Sequence, residues 1–333
     1  MAELFRILSI DGGGIRGLIP AMVLSRIEED TGTPIWKLFD LIAGTSTGGI
    51  LAAALTIPAD PVAPADARSA RYTARDLVDM YTKNAATIFP YPPPPFRHTD
   101  LDFVLHSRYH ATGVESVLKD YCGTSRLREA LTPVLITSYD IERSRAWFFS
   151  SQDATTRPDT HDFPTWEVAR ATSSAPLYFP PMKLATSGPE SYFPLVDGGV
   201  AANNPAMCAY VEAICAFNQD PGRVLVASLG TGELQQPVMY DAVQAGGIAQ
   251  WGMTPINLLF DGNQQTVQYQ MDALLNRDAH EPRYFRFQTA LSGGTNEMDN
   301  AHPDNIRQLI DLGGSLADAS KDALHDLYHR LGL

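Results

Sequence analysis

The chain has 333 residues, of which 44% are hydrophobic and 19% charged, so it is long enough to bury a full core without disulfide or metal staples. Its net charge of −13 argues against a protein whose main task is to hold nucleic-acid phosphates, and gives no general attraction to anionic membranes. We find no apolar stretch long enough to span a membrane and no signal-peptide pattern. The expected location is therefore cytoplasmic, although secretion without such a signal stays open.

The first part of the chain alternates between strand-like and helix-like patterns. Residues 4–10 form a short apolar run that leads into three glycines, which is typical of a buried strand. Apolar residues recur at helical spacing over 19–27, a second strand is predicted at 39–43, and a helix at 50–55. Strands that alternate with helices predict a largely parallel sheet covered on both faces.

The rest of the chain continues this pattern. Residues 58–73 are predicted as a surface loop, and a helix follows near 74–86. The proline-rich tract 89–96 is either a stiff connector or a rim that presents aromatic rings to a lipid-like substrate. Further strands are predicted at 133–141, 145–149, 192–196, 223–229 and 283–287, and further helices at 205–217, roughly 240–275 and in two segments after Asp304.

We expect one domain over residues 1–333, because no repeat or linker divides the chain. Its motifs lie within about 4–232, and residues 235–333 are expected to pack against that core. The three cysteines, Cys122, Cys208 and Cys215, form no CxxC pair and are expected to be reduced and mostly buried.

The segment Gly44–Gly48 has the pattern G-x-S-x-G between a predicted strand and a predicted helix. In such a nucleophile elbow the serine, here Ser46, sits on a strained turn, and Gly44 and Gly48 leave room for the backbone. The helix that follows directs its N-terminal N–H groups toward developing negative charge. The alternative is a turn that only packs a helix on a sheet.

A second glycine-rich loop, Asp11–Gly17, also lies between a predicted strand and helix. It matches the dinucleotide-binding pattern G-x-G-x-x-G, which also needs an acidic residue at the end of the next strand. Here Asp40 falls at the start of that strand instead. Consecutive glycines can instead turn backbone N–H groups toward one point and form an oxyanion hole. We favour the oxyanion hole, because parallel neighbouring strands would bring this loop to the same sheet edge as Ser46.

A serine nucleophile needs a base to activate it. The histidines that follow in the chain, as an ordinary Ser–Asp–His order requires, are His280, His302, His325 and His329. None of them lies in a recognisable loop motif. Asp197 ends a predicted strand and is followed by Gly198 and Gly199, a sequence that is often only a turn. As a base, Asp197 would need burial to raise its pKa from about 3.9.

Together these segments resemble the patatin-like phospholipases, a family of serine lipid acyl hydrolases. The match extends from Ile7 to about Gly232, some two thirds of the chain. Its motifs in chain order are Asp11–Gly17, Gly44–Gly49, Ala171–Pro176, Phe179–Pro181, Asp197–Gly199 with Asn203–Pro205, and Ser228–Gly232.

The resemblance implies a three-layer α/β/α fold with a mixed, mostly parallel central sheet. It implies a serine carboxylic-ester hydrolase of the phospholipase A or lysophospholipase type, with Ser46 as nucleophile and Asp197 as its partner in a catalytic dyad. The oxyanion hole would come from the backbone of Gly12, Gly13 and Gly14, with Arg16 nearby. Gly44 and Gly48 would form the nucleophile elbow, and Gly198 and Gly199 would support Asp197. The substrate would be a phospholipid or another acyl lipid, reached by transient membrane contact, with no metal or cofactor. Activation by a ligand is compatible with the resemblance.

Two other functions stay open from the sequence. A nucleotide-binding protein would use Gly12–Gly17, and tight nucleotide binding would reveal it. A non-catalytic storage or scaffold relative would keep the fold alone, and the intact Ser46 and Asp197 argue against it.

Overall fold

The computed structural model describes residues 4–90, 107–188, 191–234, 239–244, 254–277, 281–291 and 293–333. The strands are β1 (Phe5–Ile10), β2 (Leu41–Gly44), β3 (Val134–Asp140), β4 (Arg145–Ser150), β5 (Met182–Ala185), β6 (Tyr192–Asp197), β7 (Val224–Leu229), β8 (Glu233–Leu234), β9 (Tyr284–Phe287) and β10 (Ala290–Leu291). The α-helices are α1 (Leu18–Thr31), α2 (Ile35–Leu38), α3 (Thr47–Thr56), α4 (Ala74–Ile88), α5 (Ala111–Cys122), α6 (Ser151–Thr156), α7 (Pro158–His161), α8 (Thr165–Thr172), α9 (Gly199–Ala202), α10 (Ala206–Cys215), α11 (Tyr240–Val243), α12 (Thr254–Leu275), α13 (Pro303–Ala319) and α14 (Lys321–Leu331).

The main sheet has eight strands in the order β5-β6-β3-β2-β1-β7-β9, and β4 pairs with β3 outside this path. β3, β2, β1, β7 and β9 are parallel to one another, whereas β4 and β6 run antiparallel to β3. A mixed, mostly parallel sheet is thus confirmed. β8 and β10 form a separate parallel pair.

Helices cover both faces of this sheet. Successive strand residues point to opposite faces, so Leu8 and Ile10 of β1 pack into a cluster with buried residues of α1, α3, α4 and α13. Ile7 lies on the other face, with buried residues of α10 and α12. The predicted three-layer α/β/α fold is therefore confirmed.

Residues after 235 take part in all three layers. β9 pairs with β7 in the main sheet, α13 packs along α1, and α12 packs against α9 and α10. The close approach of α13 to α1 depends on Gly313, since a Cβ there would lie 2.7 Å from Met22 Cβ. None of the described helices is both long and apolar enough to cross a bilayer.

Most predicted elements are present. The unpredicted elements are the strands β5, β8 and β10 and the helices α2, α5, α6, α7, α8 and α9. β5 is short and only one of its four residues, Leu184, is buried, so it lacks the apolar run that marks a strand. Some expectations fall outside the described residues: residues 91–96 of the proline-rich tract, residues 245–253 of the segment predicted as helical, and His280.

The expectation that the cysteines are mostly buried is wrong. All three thiols are free, but only Cys122 is buried, while Cys208 is half-buried and Cys215 is exposed. The cause is the orientation of α10, which buries Ala209 and Ala213 against the sheet and leaves Cys215 on another face of the helix.

Candidate active site

Ser46 lies on a tight turn between β2 and α3. Its φ of 54° and ψ of −120° belong to a backbone region that favours glycine. The Ser46 N–H donates to Thr172 Oγ1 at 2.8 Å, which helps to hold this conformation. A Cβ at Gly44 would lie 2.2 Å from the Gly48 carbonyl oxygen, and a Cβ at Gly48 would lie 2.1 Å from the Ile10 carbonyl oxygen. The turn therefore requires glycine at both positions.

Asp197 reaches the same place from the opposite direction. Gly44 of β2 pairs with Ile136 of β3, and Asp197 of β6 pairs with Ser138, two residues further along β3. β4 occupies the other edge of β3 over this stretch. Because β2 is parallel to β3 and β6 is antiparallel to it, the C-terminal ends of β2 and β6 meet. This topology brings Ser46 next to Asp197.

The Asp197 carboxyl group is buried, with 2% of the residue exposed. Its Oδ1 accepts the Gly199 N–H at 2.7 Å, and the Ser46 side chain lies nearby in the same cavity. Burial raises the pKa of Asp197 to about 6, although the Ser46 side chain and the Gly199 N–H act in the opposite direction. A carboxylate with this pKa accepts a proton at neutral pH more readily than an ordinary aspartate.

No histidine lines the cavity around Ser46 within the described part of the chain. His302 is the N-cap of α13, where its Nδ1 accepts the Asp304 N–H at 3.3 Å. His325 and His329 are exposed on α14. Asp197 carries the only carboxyl group among the described residues that line this cavity.

The glycine-rich loop lies beside Ser46, because β1 and β2 are parallel neighbours. A Cβ at Gly12 would lie 3.3 Å from Ser46 Cβ. The Gly12 N–H donates to the Asn203 carbonyl oxygen at 3.0 Å, so contrary to expectation it is not free to bind an oxyanion. The N–H groups of Gly13 and Gly14 have no acceptor among the described residues, and both glycines line the cavity.

Side chains fix the orientation of the peptide between Gly12 and Gly13. The Gly12 carbonyl oxygen accepts hydrogen bonds from Thr231 Oγ1 at 2.7 Å and from Asn203 Nδ2 at 3.4 Å. In a trans peptide the carbonyl and the following N–H point in opposite directions. Holding the Gly12 carbonyl therefore directs the Gly13 N–H away from Thr231.

Arg16 fixes the orientation of the peptide between Gly13 and Gly14, although Arg16 itself does not line the cavity. Its Nε donates to the Gly13 carbonyl oxygen at 3.2 Å, which directs the Gly14 N–H to the opposite side. Burial lowers the pKa of Arg16 to about 10, so its guanidinium remains charged at neutral pH. Gly14 has a φ of +59°, and a Cβ there would lie 2.1 Å from the Met298 carbonyl oxygen.

A cavity of about 60 Å³ opens beside Ser46. Apolar side chains form much of its wall: Ile50, Ile88, Phe89, Val114, Ala175, Phe179, Phe260 and Met298. Ser46, Asp197 and the two glycine N–H groups are among its polar groups. Apart from Asp197, no charged side chain is among the described lining residues.

Several residues that shape the site had no assigned role from the sequence. Thr172, Asn203 and Thr231 occur in the family motifs, and Asn203 and Thr231 follow the C-terminal ends of β6 and β7, where functional side chains of α/β sheets gather. Phe260 and Met298 belong to the part of the chain without recognised motifs, where no local pattern marks them.

Asp40 is remote from the glycine-rich loop. It precedes β2, and its carboxylate forms an ion pair with Arg6 near the start of β1, at 2.7 Å. The loop Asp11–Gly17 follows the C-terminal end of β1, so Asp40 and this loop lie at opposite ends of the parallel strands. A nucleotide in this loop would therefore lack the acidic partner that the dinucleotide-binding pattern requires.

Comparison with known proteins identifies the family. The patatin-like phospholipase family model matches residues 8–210. Patatin-like protein 1 of Arabidopsis thaliana is 32% identical over 341 residues, covering 93% of this chain and 81% of that protein. Patatin-15 of Solanum tuberosum is 31% identical, covering 97% and 86%. The chain therefore belongs to the patatin-like phospholipase family, and this membership supports lipid acyl hydrolysis as its broad class of activity.

Two solved structures show more distant likeness. VipD from Legionella pneumophila aligns with a TM-score of 0.41 and 13% identity, covering 95% of this chain and 67% of VipD. The type III effector ExoU aligns with a TM-score of 0.37 and 10% identity, covering 98% and 53%.

Proposed function

We propose that this protein is a serine carboxylic-ester hydrolase that cleaves fatty-acyl esters of lipids through a Ser46–Asp197 dyad. The observation that carries the proposal is that Ser46, on its strained turn, and the buried carboxyl group of Asp197 line the same cavity. Burial gives that carboxyl group a pKa close to the one expected of a general base.

In the proposed cycle, the Asp197 carboxylate takes the hydroxyl proton of Ser46 as the serine oxygen attacks the acyl carbonyl carbon. The carbonyl oxygen becomes negatively charged and accepts hydrogen bonds from the N–H groups of Gly13 and Gly14. Protonated Asp197 then gives its proton to the leaving alcohol, and the acyl group remains as an ester of Ser46. Water repeats the sequence, which releases the fatty acid and restores the serine hydroxyl. Each oxyanion donor of this kind contributes about 2.7–4 kcal/mol to lowering the barrier.

The surroundings of Ser46 also favour negative charge on the substrate oxygen. α3 begins at Thr47, so its positive dipole end lies directly after the nucleophile. The charged guanidinium of Arg16 lies behind the Gly13 carbonyl. These groups are held in place before substrate binds, which is the condition for effective electrostatic stabilisation.

The apolar cavity supports a fatty-acyl substrate. A chain of methylene groups would contact its aliphatic and aromatic wall, while the ester would meet Ser46 and the glycine N–H groups. A charged head group inside the cavity would find no basic side chain among the described lining residues. We therefore place the acyl chain inside and the head group outside, as in a phospholipase A or lysophospholipase.

We further propose that the enzyme meets its substrate by transient contact with a lipid surface. Exposed apolar side chains adjoin cavity-lining residues in the sequence: Leu177 precedes Tyr178, and Leu259 precedes Phe260. Because the net charge is −13, we expect a preference for zwitterionic over anionic lipid.

Vesicle hydrolysis tests the surface contact. Leu259→Ser should lower the rate on phosphatidylcholine vesicles severalfold and leave the rate on soluble p-nitrophenyl butyrate unchanged. Leu274→Ser, on the same helix and also exposed, is the matched control and should change neither rate. Equal rates for all three proteins on vesicles would reject this surface.

Labelling with a fluorophosphonate probe tests the nucleophile. The wild type should be labelled at Ser46, and Ser46→Ala should take up no probe. Labelling without hydrolysis of soluble esters would indicate a competent site that needs a lipid surface or an activating ligand. Absence of labelling in the wild type would contradict the proposed function.

A further inference from the structure

A buried ion pair connects the C-terminal part of the chain to the glycine-rich loop. Arg286 Nη2 lies 2.6 Å from Asp11 Oδ2, and Arg286 Nη1 donates to Ser228 Oγ at 2.8 Å. The Arg286 side chain is 8% exposed and that of Asp11 is fully buried. Buried ion pairs often add little stability over apolar residues of the same volume, so stability alone is a weak explanation for this one.

The strand register shows how these side chains meet. Within the parallel strands β1, β7 and β9, Ser228 is paired with Ser9 on one side and with Arg286 on the other. Asp11 follows Ser9 by two residues, and residues two apart along a strand share a face. Arg286 therefore reaches across β7 and binds both the end of that strand and the residue that follows β1.

Both anchors of this guanidinium lie next to groups that orient the oxyanion donors. Asp11 directly precedes Gly12, whose carbonyl oxygen is held by Thr231. Thr231 follows Ser228 by three residues. A shift of Asp11 relative to Ser228 would therefore turn the peptide after Gly12 and misdirect its N–H group.

We propose that Arg286 is a positioning residue for the oxyanion hole, and that it acts by holding Asp11 and Ser228 at a fixed separation. This inference rests on the proposed function. Arg286 does not line the cavity, and it lies outside the matched residues 8–210. It acts on the reaction only through the loop that it holds.

A merely structural ion pair makes a different prediction. Its loss would reduce the amount of folded protein and leave the turnover of each folded site unchanged. Titration with a fluorophosphonate, run to completion, counts the competent sites. The kcat per titrated site on soluble p-nitrophenyl butyrate therefore separates the two roles.

Three variants grade the effect. Arg286→Lys keeps the charge but has one nitrogen for two anchors, so kcat per site should fall about tenfold with KM unchanged. Ser228→Ala keeps the ion pair and removes one anchor, with a fall of similar size. For Arg286→Met, kcat per site should fall about 100-fold, near the lower end of the loss expected when one oxyanion donor is missing. If Arg286→Met does not fold, the other two variants decide.

The control is Arg6→Met, which removes the ion pair with Asp40 at the opposite end of β1 and should keep the wild-type kcat. Wild-type kcat per site in both Arg286→Lys and Ser228→Ala would overturn the inference. A fall in kcat per site in Arg6→Met as large as in Arg286→Met would also overturn it. Ser46→Ala in the same assay separates the two proposals. Activity in Ser46→Ala would reject the proposed function. An inactive Ser46→Ala, together with wild-type kcat per site in both Arg286→Lys and Ser228→Ala, would reject the positioning role alone.

Discussion

Ser46 and Asp197 line the same cavity, although their strands approach one edge of β3 from opposite directions. The sheet itself sets their separation, because Gly44 and Asp197 both pair with β3. Functional groups supported by strands are held more accurately than groups on loops. The proximity of the proposed nucleophile to its proposed base is thus a property of the strand topology.

The rate of ester hydrolysis should depend on pH through Asp197. The carboxylate form accepts the proton, and burial raises its pKa to about 6. We therefore expect kcat/KM to rise about tenfold per pH unit below this value and to level off above pH 7. A pH–rate profile on a soluble ester measures this directly, and a profile that is flat from pH 4.5 to 7.5 would exclude Asp197 as the base.

Asp197→Asn should stabilise the protein at neutral pH while it removes activity. The folded pKa of about 6 lies above the ordinary value of 3.8, so between these values the folded state binds more protons than the unfolded state. Rising pH therefore costs wild-type stability across this window, by no more than about 3 kcal/mol. The asparagine keeps an acceptor for the Gly199 N–H and carries no charge.

Denaturant unfolding at two pH values checks that stability change. The variant should be more stable than the wild type at pH 7.5, and the difference should disappear near pH 3.5, where both side chains are neutral. A variant less stable at both pH values would show that the buried carboxylate is not a source of strain.

Two adjacent glycines of α13 should respond to alanine in opposite ways. Gly314 has no atom within 4 Å of its would-be Cβ, so Gly314→Ala should stabilise the helix by about 0.5–1 kcal/mol. At Gly313 the new Cβ would lie 2.7 Å from Met22 Cβ and 3.0 Å from the Ile19 carbonyl oxygen. Gly313→Ala should therefore destabilise, by about 1–3 kcal/mol. Thermal unfolding of both variants tests whether α13 packs against α1 this closely. Equal shifts of the unfolding midpoint in the two variants would contradict this close packing.

Val114→Phe should shorten the preferred acyl chain. Val114 is buried and lines the cavity from α5, so a larger ring there would occupy space assigned to methylene groups. Discrimination of this kind is worth about 1–3 kcal/mol per methylene. We expect kcat/KM for p-nitrophenyl laurate to fall at least tenfold, with the butyrate ester hardly affected. Loss of activity on both esters to the same extent would place the acyl chain elsewhere.

Much of the fold could be predicted from local patterns. The strands of the parallel sheet are short, apolar and buried, and β7, with all six residues buried, is the clearest example. Glycine patterns at strand ends located Ser46 and Asp197, because a tight turn after a strand leaves a sequence signature. α5 was missed even though Val114, Val117 and Leu118 recur at helical spacing and are buried, so the pattern was present there.

The contacts that complete the site could not be predicted in this way. The Gly12 N–H was expected to bind the oxyanion, but it is taken by the carbonyl of Asn203. The ion pair of Asp11 with Arg286 joins residues at opposite ends of the chain. Such partners are set by which strands become neighbours, and a single sequence does not contain that information in any local pattern.

The most direct test of the central claim is hydrolysis of p-nitrophenyl acyl esters by the wild type, Ser46→Ala and Asp197→Asn, with circular dichroism as the check on folding. The Ser46–Asp197 dyad predicts that both variants lose measurable turnover while their spectra stay unchanged, and that alanine at His302, His325 or His329 leaves activity intact. Turnover retained by a folded Asp197→Asn, or a loss of four decades on changing one of these histidines, would contradict the dyad.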